Sequence, residues 1–450
     1  MYLLISVLVL LFCLLTLNRL TGILDLRRPN VVSIIFYLYF FLQFFIASLL
    51  VVYKLDDHYL INKITNDSSR IYGWYAINLT FILFPLGVWF SNIAFLRNHS
   101  SISAYHSYLA RPVFSPLGRT SDKNIKLFLA LFFMLALVLL IVVFKNLGFV
   151  GITQLIFGSE ADFSVMRNEA SRGYGGNVFL RNQLFSNILP IATCVAYSLH
   201  LRNKSLYSRL IFVGFLCLSI IGLTYNFAKA PILYLLISLV FVNLYHRRYV
   251  PLKLSLYFGG FIILLLIVQY ALLSGIDIEV GYNAGPLGRL LISQSAGLFL
   301  AFDFFPTQHE FIGFASVSSF VQYIGIEPVP RAARLILENY NTAAVARGAG
   351  GVMNSLFTQE AYANFGWAGV VVAPIWVGFV CQSMQNIFMK LPKNDFMVGL
   401  QGKLIIGGAI VGGFNDYFYR PSLVILILIC LCVYAFYTLL PKNRRKGSTL

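Results

Sequence analysis

The sequence predicts an all-α polytopic membrane protein, with about eleven transmembrane helices and one large, partly helical loop on the outer side. Hydrophobic residues make up 58% of its 450 residues and charged residues only 11%, whereas soluble domains carry about 25% charged residues. The apolar residues also gather in runs near the length of a membrane-crossing helix. These observations exclude a soluble globular protein.

Eleven apolar runs are candidates for membrane helices, and together they make one membrane domain. Two short runs, Pro231–Leu244 and Leu404–Phe418, lie beside tight turns, so we expect each to form a helical hairpin with its neighbour. In chain order the predicted spans are Tyr2–Leu17, Val31–Tyr53, Gly73–Leu96, Leu127–Phe144, Val178–Leu199, Leu210–Phe227, Pro231–Leu244, Leu254–Leu273, Gly366–Phe388, Leu404–Phe418 and Ser422–Leu440.

Lys and Arg are divided unevenly between the two sets of connections. One set holds 21 Lys and Arg residues against three acids, and the other holds 13 against 14 acids. Cytoplasmic connections of membrane proteins are the basic ones, so the first set is predicted to be cytoplasmic. The N-terminus is then outside and the C-terminus inside. The net charge of +17 therefore reports topology, and we do not predict nucleic-acid binding.

The longest connection, Ser274–Phe365, is predicted to lie outside. Structureless loops of this length are uncommon, so we expect it to fold on the membrane. Within it, Gly288–Phe305 predicts an amphipathic or re-entrant helix, and Arg331–Glu338 predicts an interfacial one. For Arg331 and Arg334 we favour side chains that extend to the membrane surface.

The end of this loop carries the main candidate for chemistry. The glycine run Gly348–Gly351 leads into a short helical pattern that carries Glu360 and ends at Gly366, where an apolar run begins. An ionisable residue at the mouth of a membrane helix is costly and indicates function. Partial desolvation there suits a general base, while the alternative is a hydrated Glu360 near a helix start. Asn364 is expected on the same helix face.

Cations in the outer connections form a second group of candidates. Several lie in small turns, against the usual charge bias, and guanidinium groups match diphosphate oxygens bidentately. We therefore predict an anion site beside Glu360, with Arg289 as a second catalytic residue. The candidate binding residues are Lys229, Arg181, Arg172, Arg420, Arg347, Tyr362 and His309.

A metal site is an open alternative. Asp56 and Asp57 are adjacent outer acids that could hold Mg²⁺ or Mn²⁺, although two acids in a polar loop are more often only hydrated. His309 and Glu310 could form an acid/base pair. The sequence contains no zinc spacing and no phosphate-binding glycine loop. Because hydration of these acids is the favoured interpretation, neither a cofactor nor a metal is predicted.

Two stretches resemble a family of bacterial enzymes. Within Gly350–Gly369, the run Glu360-Ala361-Tyr362-Ala363-Asn364-Phe365-Gly366-Trp367-Ala368-Gly369 is similar to the end of the large periplasmic loop of oligosaccharide repeat-unit polymerases (O-antigen or capsule, Wzy-type). Leu223–Pro231 is similar to a turn of the related O-antigen ligases. Here Lys229 stands where the family usually has Arg, and the ligases often have His in the place of Glu360.

The resemblance implies metal-independent glycosyl transfer on the periplasmic face of the bacterial inner membrane. A growing glycan on undecaprenyl diphosphate would be the donor, and a lipid-linked repeat unit the acceptor. Glu360 would deprotonate the acceptor hydroxyl. Outer cations would neutralise the departing diphosphate, namely Arg289, Lys229 and Arg181, with Arg172 or Arg420 as a further candidate. Membrane lipid is an expected partner, and a chain-length regulator and a flippase are further candidates.

Two other functions stay open at this point. One is a metal-dependent glycosyltransferase of the polyprenyl-phosphate-sugar type that uses Asp56 and Asp57. The other is a transporter of lipid-linked glycans that makes no glycosidic bond.

Overall fold

Long helices make up most of the protein. The computed structural model describes residues 1–96, 100–114, 119–157, 166–167, 169–170, 173–228, 230–251, 253, 257, 260, 281–283, 285–346, 351–407, 410–418, 424 and 428. Within these residues the helices are α1 (Tyr2–Thr21), α2 (Val31–Val52), α3 (Ser68–Leu96), α4 (Ser101–Ala110), α5 (Arg119–Leu147), α6 (Gly151–Phe157), α7 (Val178–Asn203), α8 (Leu206–Leu223), α9 (Ala230–Arg247), α10 (Gly285–Gly288), α11 (Gln294–Phe304), α12 (Ala332–Tyr340), α13 (Thr342–Ala346), α14 (Thr358–Lys390) and α15 (Asp395–Gly407).

Shorter elements interrupt or join these helices. Turns of π-helix lie at Ile35–Phe45 in α2, at Leu184–Ile188 in α7 and at Arg289–Ser293 between α10 and α11. Turns of 3-10 helix lie at Ile61–Lys63, Ser319–Ile324 and Phe414–Tyr417. Strand β1 (Ser355–Leu356) pairs antiparallel with β2 (Val411–Gly412). This pair ties the chain before α14 to the chain after α15.

Eight helices of the described chain are long and apolar enough to cross a membrane, namely α1, α2, α3, α5, α7, α8, α9 and α14. Each coincides with a predicted span, so a mostly helical, polytopic membrane protein is confirmed. The predicted spans Leu254–Leu273 and Ser422–Leu440 lie almost entirely outside the described residues.

The predicted membrane helix Leu404–Phe418 is wrong. Helix α15 ends at Gly407, and the chain then forms β2 and a 3-10 turn. The segment is apolar, but Gly412 and Gly413 disfavour a helix. The 13 residues of α15 rise only about 20 Å. Irregular backbone therefore continues the path back towards the start of α14, and such backbone is tolerated at membrane depth where protein covers it.

Helices α3 and α14 lie side by side and run parallel. Near their starts, the ring centres of Tyr72 and Trp367 are 5.9 Å apart. Nearer their ends, the Oγ atoms of Ser91 and Ser383 are 2.9 Å apart. A Cβ atom on Gly378 would overlap a backbone carbonyl of α3. Glycine thus allows the close backbone approach that holds membrane helices together.

The predicted loop helix Gly288–Phe305 is confirmed, but its surroundings differ from the amphipathic expectation. All residues from 295 to 304 are buried. The ring of Phe299 fills the space over Gly73 of α3, where a Cβ atom would overlap it. Helix α11 is therefore a central element that packs against α3 and α14.

Asp303 anchors the loop to the start of α3. Its buried carboxylate accepts hydrogen bonds from the backbone N–H groups of Thr65 at 3.1 Å and Asn66 at 2.8 Å, and from the hydroxyl of Tyr340 at 2.7 Å. Burial raises the pKa of Asp303, but the hydrogen bonds outweigh burial and hold the pKa below its ordinary value. Neutral donors thus keep this carboxylate ionised and fix α12 against α3.

Helix α14 has 33 residues and carries Glu360 in its first turn. Connections with Lys and Arg residues meet near the other end of this helix. Lys393 Nζ donates to three backbone carbonyls at the end of α4, at 2.7–3.1 Å. Arg202 and Asp395 form a salt bridge of 2.8 Å nearby. These two members of the basic set thus lie near the same end of α14, while the division of the connections between the two sides of the membrane stays a prediction.

Candidate functional site

Glu360 is buried in the first turn of α14 and is bound by an arginine of the loop. Arg331 Nε donates to Oε1 at 2.6 Å, and Nη2 donates to Oε2 at 2.8 Å. The backbone N–H of Asn415 also donates to Oε2, at 2.8 Å. Arg331 Nη1 donates to Asp416 at 3.0 Å. We call Glu360, Arg331, Asn415 and Asp416 the Glu360 site.

Three chain segments build the Glu360 site. An acid in the first turn of a helix is favoured by the helix dipole, which suits Glu360 at the start of α14. Pro328 and Pro330 favour an extended chain before them, and Arg331 (φ −63, ψ 148) then directly precedes α12. The β1–β2 pair brings the 3-10 turn that carries Asn415 to the same place.

Gly413 leaves the space that the arginine occupies. A Cβ atom at this position would overlap both Nη2 of Arg331 and Oε2 of Glu360. Every other residue type would therefore displace the guanidinium or move the turn.

A ring of polar side chains supports the site from behind. Asn364 Nδ2 donates to Asn415 Oδ1 at 3.0 Å, Asn415 Nδ2 donates to Ser316 Oγ at 3.0 Å, and Ser316 Oγ donates to Asn364 Oδ1 at 3.2 Å. Asn364 and Glu360 both contact Asn415, which confirms that they share a helix face. The ring fixes the backbone N–H that binds Glu360.

Arg331 and Glu360 form a close ion pair that changes the pKa of the arginine. Burial lowers the pKa of Arg331, but hydrogen bonds and charges from Glu360 and Asp416 outweigh burial and raise the pKa above its ordinary value. The Arg331 side chain is nevertheless 39% exposed, whereas that of Glu360 is 4% exposed. Solvent or a ligand can therefore reach the arginine before it reaches the carboxylate.

Arg181 forms a second candidate site at the start of α7. It is buried, and its guanidinium carbon lies 4.7 Å from the ring centre of Tyr174 and 5.1 Å from that of Tyr225. Its Nε and Nη2 atoms donate to Asn182 Oδ1 at 3.2 and 3.1 Å, and Nη1 donates to the carbonyl of Ala170. Two aromatic faces thus stabilise this cation.

Arg167 brings further positive charge towards Tyr225, and Arg289 acts on Arg167. Burial and the charge of Arg289 lower the pKa of Arg167, with Tyr225 opposing them. Burial raises the pKa of Tyr225, while Arg181 and Arg167 act to lower it. Within the described residues none of these three arginines is in a salt bridge. We call Arg167, Arg181, Arg289 and Tyr225 the arginine cluster.

The π-helical turn that begins at Arg289 and helix α11 run from the arginine cluster towards the Glu360 site. Arg289 begins the turn that leads into α11, and Gly297 of α11 packs against Gln359, the neighbour of Glu360. A Cβ atom on Gly297 would lie 2.8 Å from Gln359 Nε2. Eight residues separate Arg289 from Gly297, which is about 12 Å along a helix axis.

Tyr362 and His309 lie in packed surroundings. The Tyr362 hydroxyl donates to the carbonyl of Phe305 at 3.2 Å, and its ring centre is 3.9 Å from that of Phe302. His309 Nδ1 is 2.7 Å from the backbone carbonyl oxygen of Glu310, so the contact is not with that residue's carboxylate. Their binding roles stay predictions.

Four predicted cations lie outside the described residues, namely Lys229, Arg172, Arg347 and Arg420. Of the predicted set, Arg181 contacts Tyr225 and Arg289 acts electrostatically on Arg167, which in turn acts on Tyr225. Glu360 lies at a separate position with Arg331.

The two adjacent acids do not share a ligand set. Asp56 Oδ1 accepts a hydrogen bond from Arg70 at 2.8 Å, while Asp57 Oδ1 accepts one from Asn62 at 2.8 Å. No group of three potential metal ligands occurs among the described residues. An arginine counterion at Asp56 makes this donor set a poor match for a divalent metal.

Sequence reasoning missed Arg331. We expected this side chain to extend to the membrane surface, and it instead binds Glu360 and Asp416. The available signal was the pair of prolines before Arg331, which fixes where its helix starts. Arg334 follows the expected helical spacing and pairs with Glu338 at 2.6 Å.

Comparison of the chain with family models, with curated proteins and with solved structures finds no match.

Proposed function

We propose that this protein is a membrane glycosyltransferase that polymerises lipid-linked oligosaccharide repeat units, in the manner of the O-antigen and capsule polymerases that its loop end resembles. The growing glycan on undecaprenyl diphosphate is transferred to the next lipid-linked unit, on the periplasmic face. The observation that carries this proposal is the arginine cluster. Arg181 lies on the ring of Tyr225, Arg167 acts electrostatically on Tyr225, and Arg289 acts on Arg167. None of these arginines has a carboxylate partner in the described chain, and guanidinium groups bind diphosphates bidentately.

In the proposed reaction, the arginine cluster binds the leaving group and Glu360 acts as the base. The acceptor hydroxyl oxygen attacks the anomeric carbon of the donor and forms the new glycosidic bond. The bond from that carbon to the diphosphate oxygen breaks, and its electron pair leaves with undecaprenyl diphosphate. Arg181, Arg289 and Arg167 offset the charge that develops on this leaving group. Glu360 accepts the hydroxyl proton.

Arg331 must release Glu360 before this proton transfer. Both carboxylate oxygens accept hydrogen bonds in the structure, and the carboxylate is buried behind the more exposed arginine, so an acceptor hydroxyl has to displace the guanidinium to reach it. The partly exposed guanidinium already shares its Nη1 atom with Asp416. An arriving diphosphate or acidic sugar offers it another anion, and its departure would uncover the base. Arg331 is therefore a positioning residue that couples substrate arrival to base release.

Chain extension in vesicles tests this function. The purified full-length protein is reconstituted with lipid-linked oligosaccharide, and products are separated by length and weighed by mass spectrometry. We expect multiples of the repeat unit on undecaprenyl diphosphate, formed equally with and without a chelator. Movement of the lipid-linked unit across the bilayer without lengthening would identify a transporter instead. Lengthening that a chelator abolishes would favour a metal-dependent transferase.

A further inference from the structure

Helix α14 is broken at Gly366, where the backbone has φ 59 and ψ −145 while helix continues on both sides. The break interrupts the hydrogen bonds that carbonyls just before it would make to N–H groups four residues on. Backbone N–H groups of the loop bind these carbonyls instead. Ile312 N–H donates to the carbonyl of Ala363 at 2.9 Å, and Gly313 N–H donates to that of Asn364 at 2.9 Å. The loop is thereby fixed against the mouth of a membrane helix.

Two phenylalanines flank this attachment and face outwards. Phe311 is 43% exposed and Phe314 is 62% exposed. Phe311 contacts Tyr362 edge to face, with ring centres 5.5 Å apart, and Phe314 contacts Phe365 at 4.9 Å. Each ring is thus held on its inner side and bare on its outer side.

Ring contacts through Tyr362 connect Phe311 to an exposed aromatic surface of the membrane helices. Trp367, directly after the break, is 42% exposed, and its ring centre lies 5.9 Å from that of Tyr72 on α3. Tyr72 and Tyr75 are 42% and 51% exposed. Trp and Tyr are enriched where helices pass from lipid to water. The two phenylalanines therefore continue an aromatic surface that already has the composition of a bilayer interface.

The rest of this part of the loop, residues 311–326, also has a composition that suits contact with lipid. Residues 311–326 contain no charged side chain, whereas a soluble surface of that length would carry about four. Ile312 and Ala315 are buried in the protein, while Tyr323 and Ile324 are 77% and 73% exposed. A solvated loop does not need this division into apolar inner and apolar outer residues.

We propose that residues 311–326 form an interfacial loop that lies in the bilayer boundary, with Phe311 and Phe314 inserted between lipids beside Trp367. The partner is the lipid surface itself, and hydrophobic burial drives the contact because the segment has no cation for anionic headgroups. Insertion of the loop sets how deep the start of α14 lies in the bilayer. Glu360 precedes Gly366 by six residues, so the position of this loop in the bilayer also sets the position of Glu360.

Photocrosslinking tests the contact independently of any enzyme activity. Phe311→p-benzoylphenylalanine and Phe314→p-benzoylphenylalanine are made separately in the full chain, with Trp367→p-benzoylphenylalanine as positive reference and Asp57→p-benzoylphenylalanine, at an exposed position of a polar loop, as control. Each protein is reconstituted in zwitterionic phospholipid vesicles and irradiated, and adducts are weighed. We expect lipid adducts at both phenylalanines with yields similar to that at Trp367 and at least about tenfold above that at Asp57. Added salt should not change the yields.

Two results would overturn the proposal. One is a lipid adduct at Trp367 with none at Phe311 or Phe314, which would place the loop in water. The other is an adduct to a second copy of the chain. Phe314→Trp provides a second readout, since brominated acyl chains should quench its added fluorescence beyond that of the wild type. Absence of extra quenching would equally count against the loop lying in lipid.

Discussion

Removal of the Arg331 guanidinium is the sharpest structural perturbation of the Glu360 site. Arg331→Ala takes away both hydrogen bonds to the buried carboxylate and leaves it with the single N–H donor of Asn415. The free energy of unfolding should fall because a buried charge loses its counterion. Glu360→Gln in the same protein should restore part of the loss, since no charge then needs a partner.

The size of the effect follows from the exposure of the pair. Breaking a fully buried ion pair costs about 3–5 kcal/mol. The Arg331 side chain is 39% exposed, and Asn415 still donates to Glu360. We therefore expect Arg331→Ala to cost about 2 kcal/mol, Glu360→Gln alone to cost about 1 kcal/mol, and the double variant to cost less than the sum by about 1 kcal/mol or more.

A double-mutant cycle measures these quantities. The four proteins are unfolded by denaturant in detergent, and the apparent free energies of unfolding are compared. Arg334→Ala is the matched control, because it removes a surface partner of Glu338 and should cost less than about 1 kcal/mol. Equal stability of Arg331→Ala and wild type, or strictly additive losses, would refute the inference that this pair is structurally coupled.

Two further changes probe neighbouring features. Gly413→Ala should destabilise the protein as much as Arg331→Ala, because its Cβ atom would displace the guanidinium, whereas Gly351→Ala has open space and should be nearly neutral in the same unfolding assay; equal effects would contradict this. Asp303→Asn should lower stability at neutral pH by about 2 kcal/mol. Because the pKa of Asp303 lies below its ordinary value of 3.8 in the folded state, its contribution is present above that value and is lost as pH falls through the folded pKa. The stability gap to Asp303→Asn, followed by thermal unfolding, should therefore close on acidification, and a gap that widens would contradict the assignment.

The membrane helices could be predicted because apolar run length alone defines them. Every predicted span that the structure describes is helical except Leu404–Phe418. There apolar composition coincides with glycines and with a strand pairing to β1, and run length cannot detect a partner more than 50 residues away in the chain. The break at Gly366 was also predicted, because a short helical pattern was expected to end there and the span Gly366–Phe388 to begin, and the structure shows helix on both sides of it.

The candidate site could be predicted only in part. Glu360 stood out because one acid preceded a long apolar run, a pattern visible within 20 residues. Its counterion was not visible, because Arg331 lies 29 residues earlier and meets it through tertiary packing. The convergence of Arg167 with Arg181 and Arg289 likewise depends on three separate segments. Residue type identified the candidates, and three-dimensional packing decided which of them are neighbours.

The central claim is that Glu360 acts as the base of a glycosyl transfer. The most direct measurement compares chain extension by Glu360→Gln with that by Glu338→Gln, a second loop glutamate paired with an arginine. Both proteins are reconstituted with lipid-linked oligosaccharide, and the rate of lengthening is measured. We predict that Glu360→Gln lowers the rate about 10²–10⁴-fold, while Glu338→Gln stays near wild type. Wild-type lengthening by correctly inserted Glu360→Gln would contradict the claim.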